Sequence, residues 1–154
     1  MWQILPSISY KEVQLNKRKQ MANYIATSRS NYFKVKDTEK FEDFCGEIGV
    51  EMITQEDLVG FLCNLDDCGS LPSSIYNEET DDHDEIDLAQ EVAKHLVKGE
   101  VAVFMESGHE KFRYVTGSAS AVNWKGEEVF FNLEDIYERA NKELGGEHVT
   151  RAEY

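Results

Sequence analysis

The sequence predicts an α+β fold: a mainly antiparallel sheet with about three helices. Three observations lead there. Short segments of alternating or wholly apolar residues are separated by tight-turn signals, as in hairpins. Three stretches instead carry apolar residues at i, i+3, i+4 and i+7, the spacing of a helix face. Strands come in runs rather than in strict alternation with helices, which favours antiparallel pairing with helices on one side. The expected order is β-α-β-β, an acidic loop, then α-β-β-β-α. At 154 residues the chain has the length of one domain.

Residues 1–20 lack sustained periodicity and end in the basic run Asn16-Lys17-Arg18-Lys19-Gln20. Met21-Ala-Asn-Tyr then reads like a second start. Residues 1–20 are therefore expected to be a loose arm or a start-site extension, 21–146 a single α+β domain, and 147–154 a C-terminal tail. Asn31–Lys36 alternates polar and apolar residues, a strand signal. Asp37 or Thr38 can cap a helix whose face is Phe41, Phe44, Cys45 and Ile48, with Gly49 as its stop. Val50–Ile53 and the apolar Leu58–Cys63 read as strands. Residues 64–81, with Gly69, Ser70, Pro72, Ser73 and Ser74, read as loop, continuing into the acidic residues up to Glu85.

Asp84 or Asp87 can cap the next helix, expected to run to about Val97, and Asp87 and Gln90 have capping-box spacing. Leu88, Ala89, Val92, Ala93 and Leu96 form its apolar stripe, and Lys98-Gly99 ends it. Glu100–Glu106 reads as a strand apolar on both faces, Ser107-Gly108-His109 as a turn, and Phe112–Val115 as the return strand. The small residues Gly117 to Ala121 suit close packing or a bulge. Lys125-Gly126 makes a second turn before Glu128–Phe131. Asn132 is placed to cap a last helix bearing Leu133, Ile136, Tyr137, Ala140 and Leu144, stopped by Gly145-Gly146.

Net charge is −14 and the pI about 4.6. Such a field repels nucleic acid, so direct binding to it is not expected. Charge is uneven: residues 1–20 carry +3, leaving −17 on the rest, and residues 51–100 alone carry −12. No apolar run approaches the roughly 20 residues of a membrane span. Met1-Trp-Gln-Ile-Leu-Pro lacks a basic leader, and the three cysteines, Cys45, Cys63 and Cys68, are an odd number. Together these point to a cytoplasmic protein with reduced thiols. Cys63 and Cys68 lack zinc spacing.

The seven acids of residues 78–87 depart most from average composition. Extended, ten residues span about 33–36 Å, one charge per roughly 5 Å. Helical, they span about 15 Å, one charge per roughly 2 Å. One DNA strand carries a charge each ~3.4 Å, so the run has a linear charge density of the right order to imitate phosphates. Glu78, Glu79, Asp81, Asp82, Asp84 and Glu85 are the candidate partner-binding residues. The bland reading is a solvated loop whose charge serves solubility. Weak divalent-cation binding is a further alternative, against which stands Glu85 where an EF-hand loop needs glycine. No metal site is assigned. His83, His95, His109 and His148 are scattered, with no nucleophile tied to them. No GxSxG, Walker A, GxGxxG or HExxH motif occurs, so no catalytic residue and no cofactor is expected. Arg29, amid Thr27, Ser28 and Ser30, is a candidate anion-binding residue; the rival reading has it answering an internal acid.

Asn23 to Val35 (NYIATSRSNYFKV) resembles the opening of a family of small acidic proteins of uncertain function carried on bacterial plasmids and other mobile elements. The resemblance continues in Gly69-Ser-Leu-Pro, Asp84-Glu-Ile-Asp, Ala102-Val-Phe-Met-Glu and Glu110-Lys-Phe-Arg-Tyr-Val-Thr-Gly, covering most of residues 21–145. It implies a cytoplasmic accessory protein of mobile DNA, a setting in which acidic proteins often disarm nucleases or nucleic-acid-guided defences. With the acidic run, it leads to the expectation of a non-enzymatic interaction protein that occludes a basic, nucleic-acid-binding partner. The rival is a small regulatory or housekeeping module.

Overall fold

The computed structural model describes residues 24–63, 69–111, 113–146 and 149–153. The expectations for residues 1–20, Cys68, Phe112 and His148 lie outside them. The elements run β1 (Tyr24–Ser30), α1 (Thr38–Ile48), β2 (Glu51–Gln55), β3 (Leu58–Leu62), β4 (Ser74–Asn77), β5 (Asp82–Glu85), α2 (Leu88–His95), β6 (Val101–Glu110), β7 (Tyr114–Asn123), β8 (Glu128–Asn132) and α3 (Asp135–Leu144). Six strands form one sheet in the order β2-β3-β1-β6-β7-β8, every neighbouring pair antiparallel. β4 and β5 form a separate two-stranded sheet. The fold is α+β.

The helix ends follow the expected chemistry. Asp37 caps α1, accepting from the Lys40 N–H at 3.2 Å, and Gly49 closes it in the left-handed region at φ +74°. Asp87, not Asp84, caps α2 by accepting from Gln90 N–H. Gln90 does not reach back to complete a capping box. Its side-chain amide donates instead to the Gly126 carbonyl at 3.0 Å, tying α2 to the turn between β7 and β8. Asn132 and Asp135 each accept from the other's N–H, but across the turn that precedes α3: the helix begins at Asp135, and Glu134 at its N-cap makes no side-chain capping bond, so Asn132 is not its cap.

One face of the large sheet is buried under α1 and α2. Phe41, Phe44, Cys45 and Ile48 of α1 and Ala89, Val92 and Ala93 of α2, with Leu96 just beyond its end, meet Phe61, Ala102, Phe104 and Val122 of the sheet. Phe61 and Phe104 stack at 5.7 Å.

Three expectations are corrected. The first strand is Tyr24–Ser30, not Asn31–Lys36, which joins the sheet through hydrogen bonds of Asn31 with Val101 and Val103 and a bridge from Phe33 to Val59, while Val35 bridges to Leu96 just beyond α2. The turn does not fall at Ser107-Gly108-His109: β6 runs through these residues because β1 pairs with all three. Gly108 is needed there for space, since a Cβ would collide with the Tyr24 ring. The expected acidic loop holds a hairpin. The last helix forms, yet none of its residues is buried, so its apolar stripe lies outside the core.

Pairing registers identify the second face. Glu51, Leu62, Arg29, Met105, Ala119 and Phe131 form one row across the six strands. Thr27, Ser107 and Gly117 form the next, extended by Leu133, whose N–H donates to the Gly117 carbonyl. Val103, Ala121 and Val129 form a third. Neither α1 nor α2 lies on this outer face.

Candidate functional site

The acidic residues 78–85 form the tip and second strand of the β4–β5 hairpin. β4 carries Ile75 and Tyr76, and Ile75 packs on the edge of the core. This anchor starts a strand that hydrophobic alternation could not reveal, because most of the hairpin is solvated. Tyr76 pairs with His83 across the two strands, rings 5.6 Å apart, and its hydroxyl donates to Asp81 Oδ1 at 2.6 Å. Asn77 donates through Nδ2 to Asp84 Oδ2 at 2.8 Å and accepts from the Glu79 N–H at 3.0 Å. Asp81 sits at φ +53°, a conformation that Asp, Asn and Gly tolerate best.

The base of the hairpin is fixed to the sheet. Ile86 N–H donates to the Ser73 carbonyl at 2.9 Å. Upstream, Leu71 N–H donates to Glu106 Oε2 at 2.7 Å, and Ser28 Oγ donates to the Gly69 carbonyl. Tyr24 donates to the other oxygen of Glu106 at 2.9 Å. Burial, then the Glu106 carboxylate, pushes the Tyr24 phenol above its ordinary pKa. Tyr24 and Glu106 thus act as a latch for residues 69–73.

Glu78, Glu79, Asp81, Asp82, Asp84 and Glu85 are all exposed. Among the described residues none is bridged to a lysine or arginine. The strand pairing sends Asp82 and Asp84 to one face of the hairpin and Glu85 to the other, with the rest at the turn. The expected rod of charge, extended or helical, is therefore a compact double-sided patch. Two four-residue strands are about 13 Å long. Among the described residues no three His, Cys, Asp or Glu side chains converge as metal ligands would.

Arg29 does not join the hydroxyls beside it. Strand alternation turns Ser28 and Ser30 into the core side and leaves Thr27 and Arg29 on the outer face. Ser30 Oγ accepts from the Phe61 N–H, a structural role. The Arg29 guanidinium lies 5.6 Å from the Tyr32 ring centroid and donates through Nε to the Ser30 carbonyl. No carboxylate is paired with it among the described residues. Sequence reasoning missed the outer face on which it stands, because that face needs the strand registers to assemble it. The chain matches no protein-family model, no curated protein and no solved structure.

Proposed function

We propose that this chain is a non-enzymatic interaction protein whose acidic hairpin engages a basic, nucleic-acid-binding partner and occupies the sites that partner uses for phosphate. One observation carries the reading: six exposed carboxylates stand on a folded, anchored hairpin with no lysine or arginine among the described residues set against them. Coulomb attraction then remains available for a partner's Lys and Arg side chains. A folded hairpin loses less conformational freedom on docking than a loose acidic loop would. The net charge of −14 adds long-range steering toward a basic groove. The setting implied by the resemblance, an accessory role on mobile DNA in the cytoplasm, agrees with a protein that blocks such grooves.

The test is a competition in which a labelled DNA duplex is displaced from a basic DNA-binding domain. The wild-type chain displaces the duplex at low salt, and the Asp81→Asn, Asp82→Asn, Asp84→Asn, Glu85→Gln variant needs a higher concentration to do so. Equal displacement by the two proteins overturns the proposal.

A further inference from the structure

The outer face of the sheet is as unusual in this chain as the hairpin, in the opposite sense. From β1 it presents Ile25, Thr27 and Arg29; from β6 Val101, Val103, Met105, Ser107 and His109; from β7 and β8 the small residues Gly117, Ala119 and Ala121 flanked by Val115, Asn123, Val129 and Phe131. Not one residue from these four strands is a carboxylate, although the chain holds 30 acids; Glu51 stands on the same face at the far edge, on β2. Val129 is 71% exposed and Phe131 51%, and Ile25, Met105, Val115 and Leu133 are exposed beside them. Contiguous exposed apolar surface of this kind marks an interaction site.

We infer that this face docks a second copy of the chain. Its relief suits a twofold contact. The trough of Gly117, Ala119 and Ala121 runs along β7, with Val103 and Met105 on one bank and Val129, Phe131 and Leu133 on the other. The banks lie two strand spacings apart, about 9.6 Å, wide enough to receive one row of side chains. In an isologous contact each copy offers both the ridge and the trough. Charge selects the partner. A basic protein gains nothing from four strands that present no carboxylate, and nucleic acid or an anionic membrane brings its charge to the contact itself, whereas a second copy, repelled at long range by the same −14, brings none of it on these strands. Two copies meeting here keep their acids out of the contact. The four strands hold 7, 10, 10 and 5 residues. That gives a flat footprint of about 500 Å², before projecting side chains are counted, against about 800 Å² of accessible surface per partner in a standard interface.

The inference is independent of the acidic hairpin, and salt separates the two. Hairpin binding is attractive Coulomb energy and weakens with salt. Self-association through these four strands opposes the mutual repulsion of two −14 bodies and strengthens with salt. Sedimentation velocity of the full chain from about 5 to 500 µM is expected to show the mass rise from 17.7 kDa toward twice that, more steeply at about 0.5 M than at 0.05 M NaCl. Phe131→Asp and Val129→Lys each hold the protein at the monomer mass with an unchanged melting temperature. Phe130→Asp, on the opposite face of β8, leaves the dimer intact, as does neutralising the hairpin. A wild type that stays monomeric throughout overturns the inference; if Phe131→Asp also lowers its melting temperature, the face is covered from within the chain. A dimer that persists in both outer-face variants overturns it as well.

Discussion

Gly69 lies against the carbonyl oxygen of Ala26 so closely that no side chain fits between them. Its φ of +74° is also one that L-residues rarely adopt. Two separate requirements, space and backbone conformation, therefore meet at one residue, where residues 69–73 cross β1 on their way to the hairpin.

Gly69→Ala is expected to be costly, because strain at a left-handed position of about 1–3 kcal/mol adds to a clash with backbone that cannot move aside. Gly49→Ala supplies the control. Gly49 has the same φ of +74° with nothing within 4 Å of an added Cβ, so only the conformational cost of about 1–3 kcal/mol applies, without the clash. In urea denaturation the midpoint should fall further for Gly69→Ala than for Gly49→Ala, with the slope unchanged in both.

Phe104 tests the core. It is 1% exposed and stacks on Phe61 at 5.7 Å. Phe104→Ala should destabilise the fold by about 3–5 kcal/mol, through lost burial and the cavity left behind. A change under about 1 kcal/mol would mean that β6 does not face the core through this residue.

His95 makes stability depend on pH. Its ring lies 5.0 Å from that of Phe44 and 5.5 Å from that of Phe41. Burial among these rings lowers its pKa below 6.5, with Lys36 and Lys94 acting in the same direction and Glu91 and Asp37 opposing. The unfolded state then binds the proton more readily than the folded one. Stability from this residue is complete above the unfolded pKa, near 6.5, and is lost as pH falls through that value toward the folded pKa. The melting temperature should decline between about pH 7.5 and 5.5, and His95→Gln should flatten that decline.

Cys45 is 1% exposed on α1, and burial pushes its thiol up to about 12. The thiolate is the reactive form, so native protein at about pH 8 should leave Cys45 unalkylated until the chain is unfolded. Peptide mapping by mass spectrometry reads this directly. Rapid native labelling of Cys45 would place it outside the core.

What the sequence makes legible is whatever depends on neighbours along the chain. The apolar spacing of Phe41, Phe44, Cys45 and Ile48, the caps Asp37 and Asp87, and the stop at Gly49 are local, and all three features stand in the structure. The displaced elements depend on distant partners. Asn31–Lys36 has the better strand pattern, but Tyr24–Ser30 takes the place because β6 offers it a seven-residue register, Tyr24 against Glu110 through Ser30 against Phe104. The same pairing carries β6 through Gly108, where the sequence signals a turn. The helical periodicity of residues 133–144 identifies a helix without placing it in the core, since periodicity fixes which face is apolar and not what lies against it. The candidate hairpin is legible as charge and not as shape: Asp82-His-Asp-Glu has no strand pattern, and Ile75, Tyr76, the Ile86–Ser73 bond and the latch to Glu106 help hold it in place.

The acidic hairpin gives the last prediction. In the Asp81→Asn, Asp82→Asn, Asp84→Asn, Glu85→Gln variant every side-chain acceptor survives. The amide oxygen introduced at position 81 can still receive the Tyr76 hydroxyl, the one at 84 the Asn77 amide and the one at 82 the His83 N–H, as the carboxylates do now. Asparagine also tolerates the left-handed backbone that Asp81 adopts. The fold should hold, and relief of repulsion among exposed carboxylates should leave the melting temperature equal or slightly higher. Asp87 is kept because its cap on α2 is worth roughly 0.5–2 kcal/mol. Exposed ion pairs contribute about 0.2–1 kcal/mol each, so losing four should weaken binding to a basic domain between about fourfold and about a thousandfold at low salt. The variant should also respond less to added salt, because the missing term is the one screened over about 8–10 Å. Two results would sink the idea: undiminished binding at low salt, or a variant that unfolds, which would assign these carboxylates a structural role.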